Sequence, residues 1–147
     1  MKKTIVSLSL MLTVGLSAAF ATDDEPAINQ KVKESFQKEF TGAQLLGWTD
    51  LGEYLKATFI FGGHRAEAYF NTSGELAGSV RDLFYDQLPL AVMKSVDKKY
   101  AEADVIDVRE ISNDEGTHYK LTVELNKRKY KLSVTTSGDI TDKTEIK

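Results

Sequence analysis

No cysteine occurs anywhere in the 147 residues. Disulfides, cysteine-based metal sites and a lipid-modified N-terminal cysteine are therefore excluded, and whatever fold forms is held by its core alone. Histidine is nearly absent too. His64 and His118 fall at or beside expected turns, and neither has a partner at metal-ligand spacing. There is no Gly-x-Ser-x-Gly elbow and no glycine-rich phosphate loop, so neither a serine-hydrolase nor a nucleotide-binding signature is present. Proline appears only at positions 26 and 89. Long apolar runs are missing as well. The one stretch that approaches a membrane span, from Ile5 through Leu16, is interrupted by Ser7, Ser9, Thr13 and Gly15 and falls short of the ~20 residues a span needs.

That stretch makes sense as a secretory signal. Lys2 and Lys3 give a basic start, the apolar run follows, and Ala19-Phe20-Ala21 supplies small residues at a cleavage site. Residues 1–21 are expected to be removed, which leaves residues 22–147 as a single domain without membrane insertion and a periplasmic or secreted destination. Both leader lysines leave with it, so 17 basic residues face 22 acidic ones and the mature formal charge is −5. With the signs interspersed, a nucleic-acid surface is not expected.

The mature chain resembles itself. Residues 28–40 align with 88–100, placing Val32, Phe36 and Phe40 on Val92, Val96 and Tyr100. After a four-residue insertion in the second copy, Lys56-Ala57-Thr58-Phe59 falls on Lys120-Leu121-Thr122-Val123. Thr72-Ser73-Gly74-Glu75-Leu76 falls on Thr136-Ser137-Gly138-Asp139-Ile140. Repeat one is expected over about 26–84 and repeat two over about 85–147.

Each repeat opens with a helix carrying one apolar stripe, because Ile28, Val32, Phe36 and Phe40, and Leu88, Val92, Val96 and Tyr100, recur every fourth residue. Strands follow. Tyr119, Leu121, Val123 and Leu125 alternate with polar residues, as do Tyr130, Leu132 and Val134. Gly62-Gly63-His64 and Asn126-Lys127-Arg128 are short enough for hairpins. Further strands are expected near 45–51, 75–82, 105–111 and 139–146. The predicted fold class is α+β: two tandem helix-plus-antiparallel-strand repeats form one sheet, with both helices on one face and the other face open. On that open face the alternation puts Tyr54, Lys56, Ile60, Arg65 and Tyr69 from the first repeat, and Lys120 and Lys131 from the second. These seven are the candidate binding residues, since aromatics beside charges commonly build recognition surfaces.

The helix ending in an aromatic, Trp48 after it, the pattern from Tyr54 to Phe59, the string Ala68-Tyr69-Phe70-Asn71-Thr72-Ser73-Gly74 and Leu88-Pro89 opening a second helix together resemble the PepSY-like proteins with a β-lactamase-inhibitor-protein-like fold, exported proteins frequent in gut Bacteroidetes. The resemblance covers nearly all of the mature chain. It implies a tandem-repeat domain that binds a protein or peptide through an open sheet face, as an inhibitor or a sensor of envelope proteins. The inhibitor behind the fold's name depends on disulfides and inserted loops that find no match here, so β-lactamase inhibition is not implied.

No catalytic residue, metal ligand or cofactor is expected. Two other functions stay open: a small-ligand carrier, which needs a sizeable cavity, and a carboxylate-dependent hydrolase drawing on acids such as Asp50, Glu53, Glu67, Asp82 or Asp86. Asn113-Asp114-Glu115-Gly116 lacks the acid spacing of a calcium loop and is expected as a hairpin tip. Asn71-Thr72-Ser73 is expected as a turn, and Trp48 as a core residue under the first helix.

Overall fold

The computed structural model describes residues 26–147; the expected signal segment and residues 22–25 lie outside them. Chain order is α1 (Gln30–Glu39), β1 (Gln44–Asp50), β2 (Tyr54–Phe61), β3 (His64–Asn71), β4 (Leu76–Asp82), a 3₁₀ turn (Tyr85–Gln87), α2 (Leu90–Lys99), β5 (Asp104–Asn113), β6 (Gly116–Leu125), β7 (Arg128–Thr135) and β8 (Ile140–Ile146). The strands form one open eight-stranded sheet in the order of the chain, and every neighbouring pair is antiparallel.

Both helices are one turn shorter than the apolar stripes alone imply. Asn29 caps α1, its Oδ1 accepting from the Val32 amide at 3.0 Å, while Pro89 stands at the N-cap of α2 rather than inside its first turn. Each helix buries two side chains of its stripe, Val32 and Phe36 in α1 and Val92 and Val96 in α2. Val32 and Phe36 pack on Leu55, Ala57, Phe59, Ala66, Ala68 and Phe70, and Val92 and Val96 pack on Val108, Tyr119, Leu121, Val123, Leu132 and Val134. The two clusters are separate, and residue types explain why. In the strands between them, the helix-side positions are Ser79 and Arg81 on β4 and Glu110 and Ser112 on β5, joined by the Arg81–Glu110 ion pair at 3.0 Å.

Strand register shows that both helices lie on the same face. Ala68 stands opposite Ser79, Ser79 opposite Ser112 and Ser112 opposite Thr117, and Thr117 shares its side of β6 with Tyr119, Leu121 and Val123. The other face carries no helix among the described residues.

Two local devices set these positions. Gly62 and Gly63 take positive φ (59° and 80°) between β2 and β3, and Asn126 and Lys127 do the same (52° and 63°) between β6 and β7, giving two-residue hairpins whose twist matches their strands. Gly74 and Gly138 are buried where the turn before β4 and before β8 meets a helix: a Cβ on Gly74 would stand 3.1 Å from the Lys31 carbonyl oxygen, and one on Gly138 would overlap the Ala91 carbonyl. Asn71 is a turn residue, its Oδ1 accepting from the Ser73 and Glu75 amides.

The β5–β6 hairpin is longer than the β1–β2 hairpin. β1 ends at Asp50, whereas β5 continues to Asn113, and the turn at Asp114 and Glu115 lies beyond it. The extra length matters because β4 pairs with β5 over only five positions, Gly78–Asp82 against Arg109–Asn113. That short ladder is the join between the two halves of the sheet.

Candidate functional site

Alternation along the paired strands assigns the uncovered face residue by residue. β2 contributes Tyr54, Lys56, Thr58 and Ile60; β3 contributes Arg65, Glu67 and Tyr69, which stand opposite Ile60, Thr58 and Lys56. From β6 come His118, Lys120, Thr122 and Glu124, and from β7 Lys129 and Lys131. All seven candidate residues, Tyr54, Lys56, Ile60, Arg65, Tyr69, Lys120 and Lys131, are thus on one surface. They are not one cluster: the first five lie on β2 and β3, the two lysines on β6 and β7, with β4 and β5 between.

What fills the gap is a hollow of about 220 Å3 with largely apolar walls. Tyr54 and Tyr69 form one side, Gly78 and Val80 of β4 the floor, Ile111 and Asn113 of β5 the other side. Gly78 stands in register between Tyr69 and Asn113. A side chain there would meet the Ser112 carbonyl oxygen at 3.0 Å and the Asn113 Cβ at 3.5 Å, so the floor is low because glycine occupies it. Tyr54 is 41% exposed. Tyr69 is half-buried, and its hydroxyl donates to Glu67 at 3.0 Å. Burial, then this bond and the Glu67 charge, raise its phenol above the usual range, while Arg109 opposes the shift.

Beside the hollow runs a row of ion pairs. Glu67 draws in Lys56 (3.7 Å) and Arg65 (3.9 Å). Arg109 is shared between Asp82 (3.4 Å) and Asp107 (3.3 Å), and Lys129 reaches Glu124 at 4.0 Å. Such surface pairs contribute about 0–1 kcal/mol each. Lys120 and Lys131 have no carboxylate within ion-pair distance among the described residues, although Arg109 stands directly opposite Lys120.

The sequence reading missed the floor and far wall. Gly78, Val80, Ile111 and Asn113 belong to strands whose phase the alternation left open, and the one available signal was a glycine inside an expected strand, which marks a close approach or an opening. Trp48 sits on the helix side, partly buried, with its ring 5.6 Å from Phe36 and 6.2 Å from Phe70. His64 opens β3, shares a hydrogen bond with Gln87 at 3.1 Å and meets Phe84 edge-on. His118 lies within β6, opposite Ile111 and Thr135, and not at a turn. Among the described residues no group of three His, Cys, Asp or Glu side chains is placed to hold a metal ion, and no helix is long and apolar enough to cross a membrane. Other hollows measure about 160–350 Å3, the largest between α1 and β1 beside Ile28, Phe36 and Trp48.

Compared by sequence, the chain matches no protein-family profile and no curated protein. Compared by structure, it resembles a BLIP-like protein from Bacteroides fragilis (TM-score 0.72, 22% identity, covering 80% of this chain and 86% of that one). It also resembles a DUF2874 family protein from Bacteroides uniformis (TM-score 0.72, 19% identity, 80% and 88% covered). A third similar structure, from Bacteroides eggerthii, is provisionally described as periplasmic (TM-score 0.72, 19% identity, 80% and 88% covered). The α+β architecture with an open antiparallel sheet is therefore the BLIP-like fold.

Proposed function

We propose that this chain is an exported, non-catalytic module of the PepSY-like class, built from two copies of one helix-plus-four-strand unit, that binds a protein or peptide on its uncovered sheet face and acts as an inhibitor or sensor of envelope proteins. The observation that carries the reading is the apolar hollow at the centre of that face, flanked by an exposed and a half-buried tyrosine. An aromatic-walled depression bordered by charged residues has the anatomy of an interface core within a polar rim. The face is a broad antiparallel surface with no helix on it, which a partner can approach without rearranging the core. The BLIP-like fold and the leader-like N-terminal sequence support the same reading and a periplasmic or secreted location.

Affinity capture tests it. Residues 22–147 are immobilised, native envelope extract is passed over them, and retained proteins are compared with those held by a folded Tyr54→Ser/Tyr69→Ser variant. Retention by the wild type and loss by the variant is the expected result. Equal retention by both moves binding to the hairpins or helices and overturns the assignment to the face.

A further inference from the structure

We infer that the segment recognised on this face is acidic as well as apolar: an extended stretch that seats an apolar side chain over Gly78 and carries carboxylates to Lys120 and Lys131. The inference rests on the sheet-face reading above and adds the chemistry of the partner. Six cations project from the face, and four of them, Lys56, Arg65, Arg109 and Lys129, are already paired with acids of the same face. Lys120 and Lys131 are the two without such a pair among the described residues, and they are diagonal neighbours, since Lys120 stands opposite Ser133 and Thr122 opposite Lys131. Arg109 stands across from Lys120, but Asp82 and Asp107 already meet its charge, so Lys120 and Lys131 are the cations left to receive an incoming anion.

Register sets the distance between the two features. From Gly78, Lys120 lies two strands across and four residues along, and Lys131 three strands across and six residues along. At ~4.8 Å per strand and ~3.3 Å per residue these diagonals are about 16 and 25 Å, the spans of about five and seven extended residues. A segment with an apolar residue followed five and seven positions later by acids satisfies both ends. The chain itself is net negative. Attraction for an acidic segment must therefore come from these local cations rather than from the molecule's overall field.

The test titrates ¹⁵N-labelled residues 22–147 with three blocked nonapeptide panels of the patterns Phe-x-x-x-x-Asp-x-Asp, Phe-x-x-x-x-Lys-x-Lys and Ala-x-x-x-x-Asp-x-Asp. The expected result is saturable shifts at the Gly78, Ile111 and Lys120 amides with the first panel, at least tenfold weaker binding of the other two, and a similar loss in a Lys120→Glu/Lys131→Glu variant whose amide dispersion shows it folded. Equal binding of the acidic and basic panels at the same amides overturns the acidic chemistry and leaves the sheet-face reading standing. Shifts confined to α1, α2 or the edge strands overturn both. Absence of any shift overturns the inference, while the capture experiment judges the underlying reading separately.

Discussion

At the scale of single residues, the sharpest constraints are glycines that let a turn meet a helix. Gly138 has φ of 95°, and a Cβ there would also stand 2.9 Å from the Ala91 carbonyl carbon. Gly74 shares the conformation (φ 88°) but leaves 3.1 Å to the Lys31 carbonyl oxygen. Left-handed backbone costs a non-glycine residue about 1–2 kcal/mol. Gly74→Ala should therefore lose roughly that much, and Gly138→Ala about 2–4 kcal/mol because a backbone carbonyl must also move. Urea unfolding of the two variants checks the order; equal losses would mean that the approach to α2 is not tight.

Tyrosines give the same scale a pH signature. Burial, followed by the bond to Asp97, pushes the Tyr85 phenol far above its usual range. Burial also raises Tyr69 and Tyr119, each helped by a neighbouring glutamate. A folded state that holds these protons longer than the unfolded chain keeps its full stability below the unfolded value of ~10 and loses it as pH rises beyond that. Stability should be flat on this account up to pH ~10 and then decline. A Tyr69→Phe/Tyr85→Phe/Tyr119→Phe variant should show a shallower decline in alkaline urea titrations.

At the scale of elements, the long β5–β6 hairpin decides whether the chain makes one sheet or two. Ile111, Ser112 and Asn113, which pair with Val80, Ser79 and Gly78, supply three of the five positions that join β4 to β5. Ser112 and Asn113 lie within the four-residue insertion of the self-alignment, whereas Ile111 falls on Leu51. The insertion was legible as a gap in the self-alignment. Its role was not, because strand pairing between halves depends on length and partner rather than on any residue's own pattern. Where one face is buried the alternation did reveal strand phase, as in β2, β3, β6 and β7. β4 and β5 meet at the seam, where Ser79, Arg81, Glu110 and Ser112 replace apolar side chains on the helix side, and there the periodic signal fades. The hollow's floor and far wall come from those two strands, so half of the candidate site was hidden for the same reason. Removing Ser112, Asn113, Gly116 and Thr117 while keeping the Asp114-Glu115 turn should expose the Ser79 amide, which faces Ser112 on β5, to hydrogen exchange and abolish the hollow. The β2–β3 and β6–β7 ladders should keep their protection.

At the scale of the whole molecule, two cores share one sheet without sharing side chains. Phe59 sits fully buried among Phe36, Phe40 and Phe61, with ring centroids 5.0, 4.7 and 6.5 Å away, and none of these rings belongs to the cluster under α2. Phe59→Ala should cost about 3–5 kcal/mol, since a large aromatic leaves a cavity that its aromatic neighbours fill poorly. In a molecule with one continuous core that loss would lower a single transition. Here the polar seam of Arg81 and Glu110 and the five-position ladder of β4 and β5 are what couple the halves. A ladder of that length, bordered by an ion pair that remains partly exposed, is a weaker link than either apolar cluster. The Phe59→Ala variant should therefore unfold in two steps. Hydrogen exchange in low urea should lose protection across β2 and β3 while Leu121, Val123 and Leu132 remain protected. A single coincident loss in both halves would instead mean that the β4–β5 join transmits stability as fully as a shared core, and that the hollow above it is set in a rigid frame rather than at a joint.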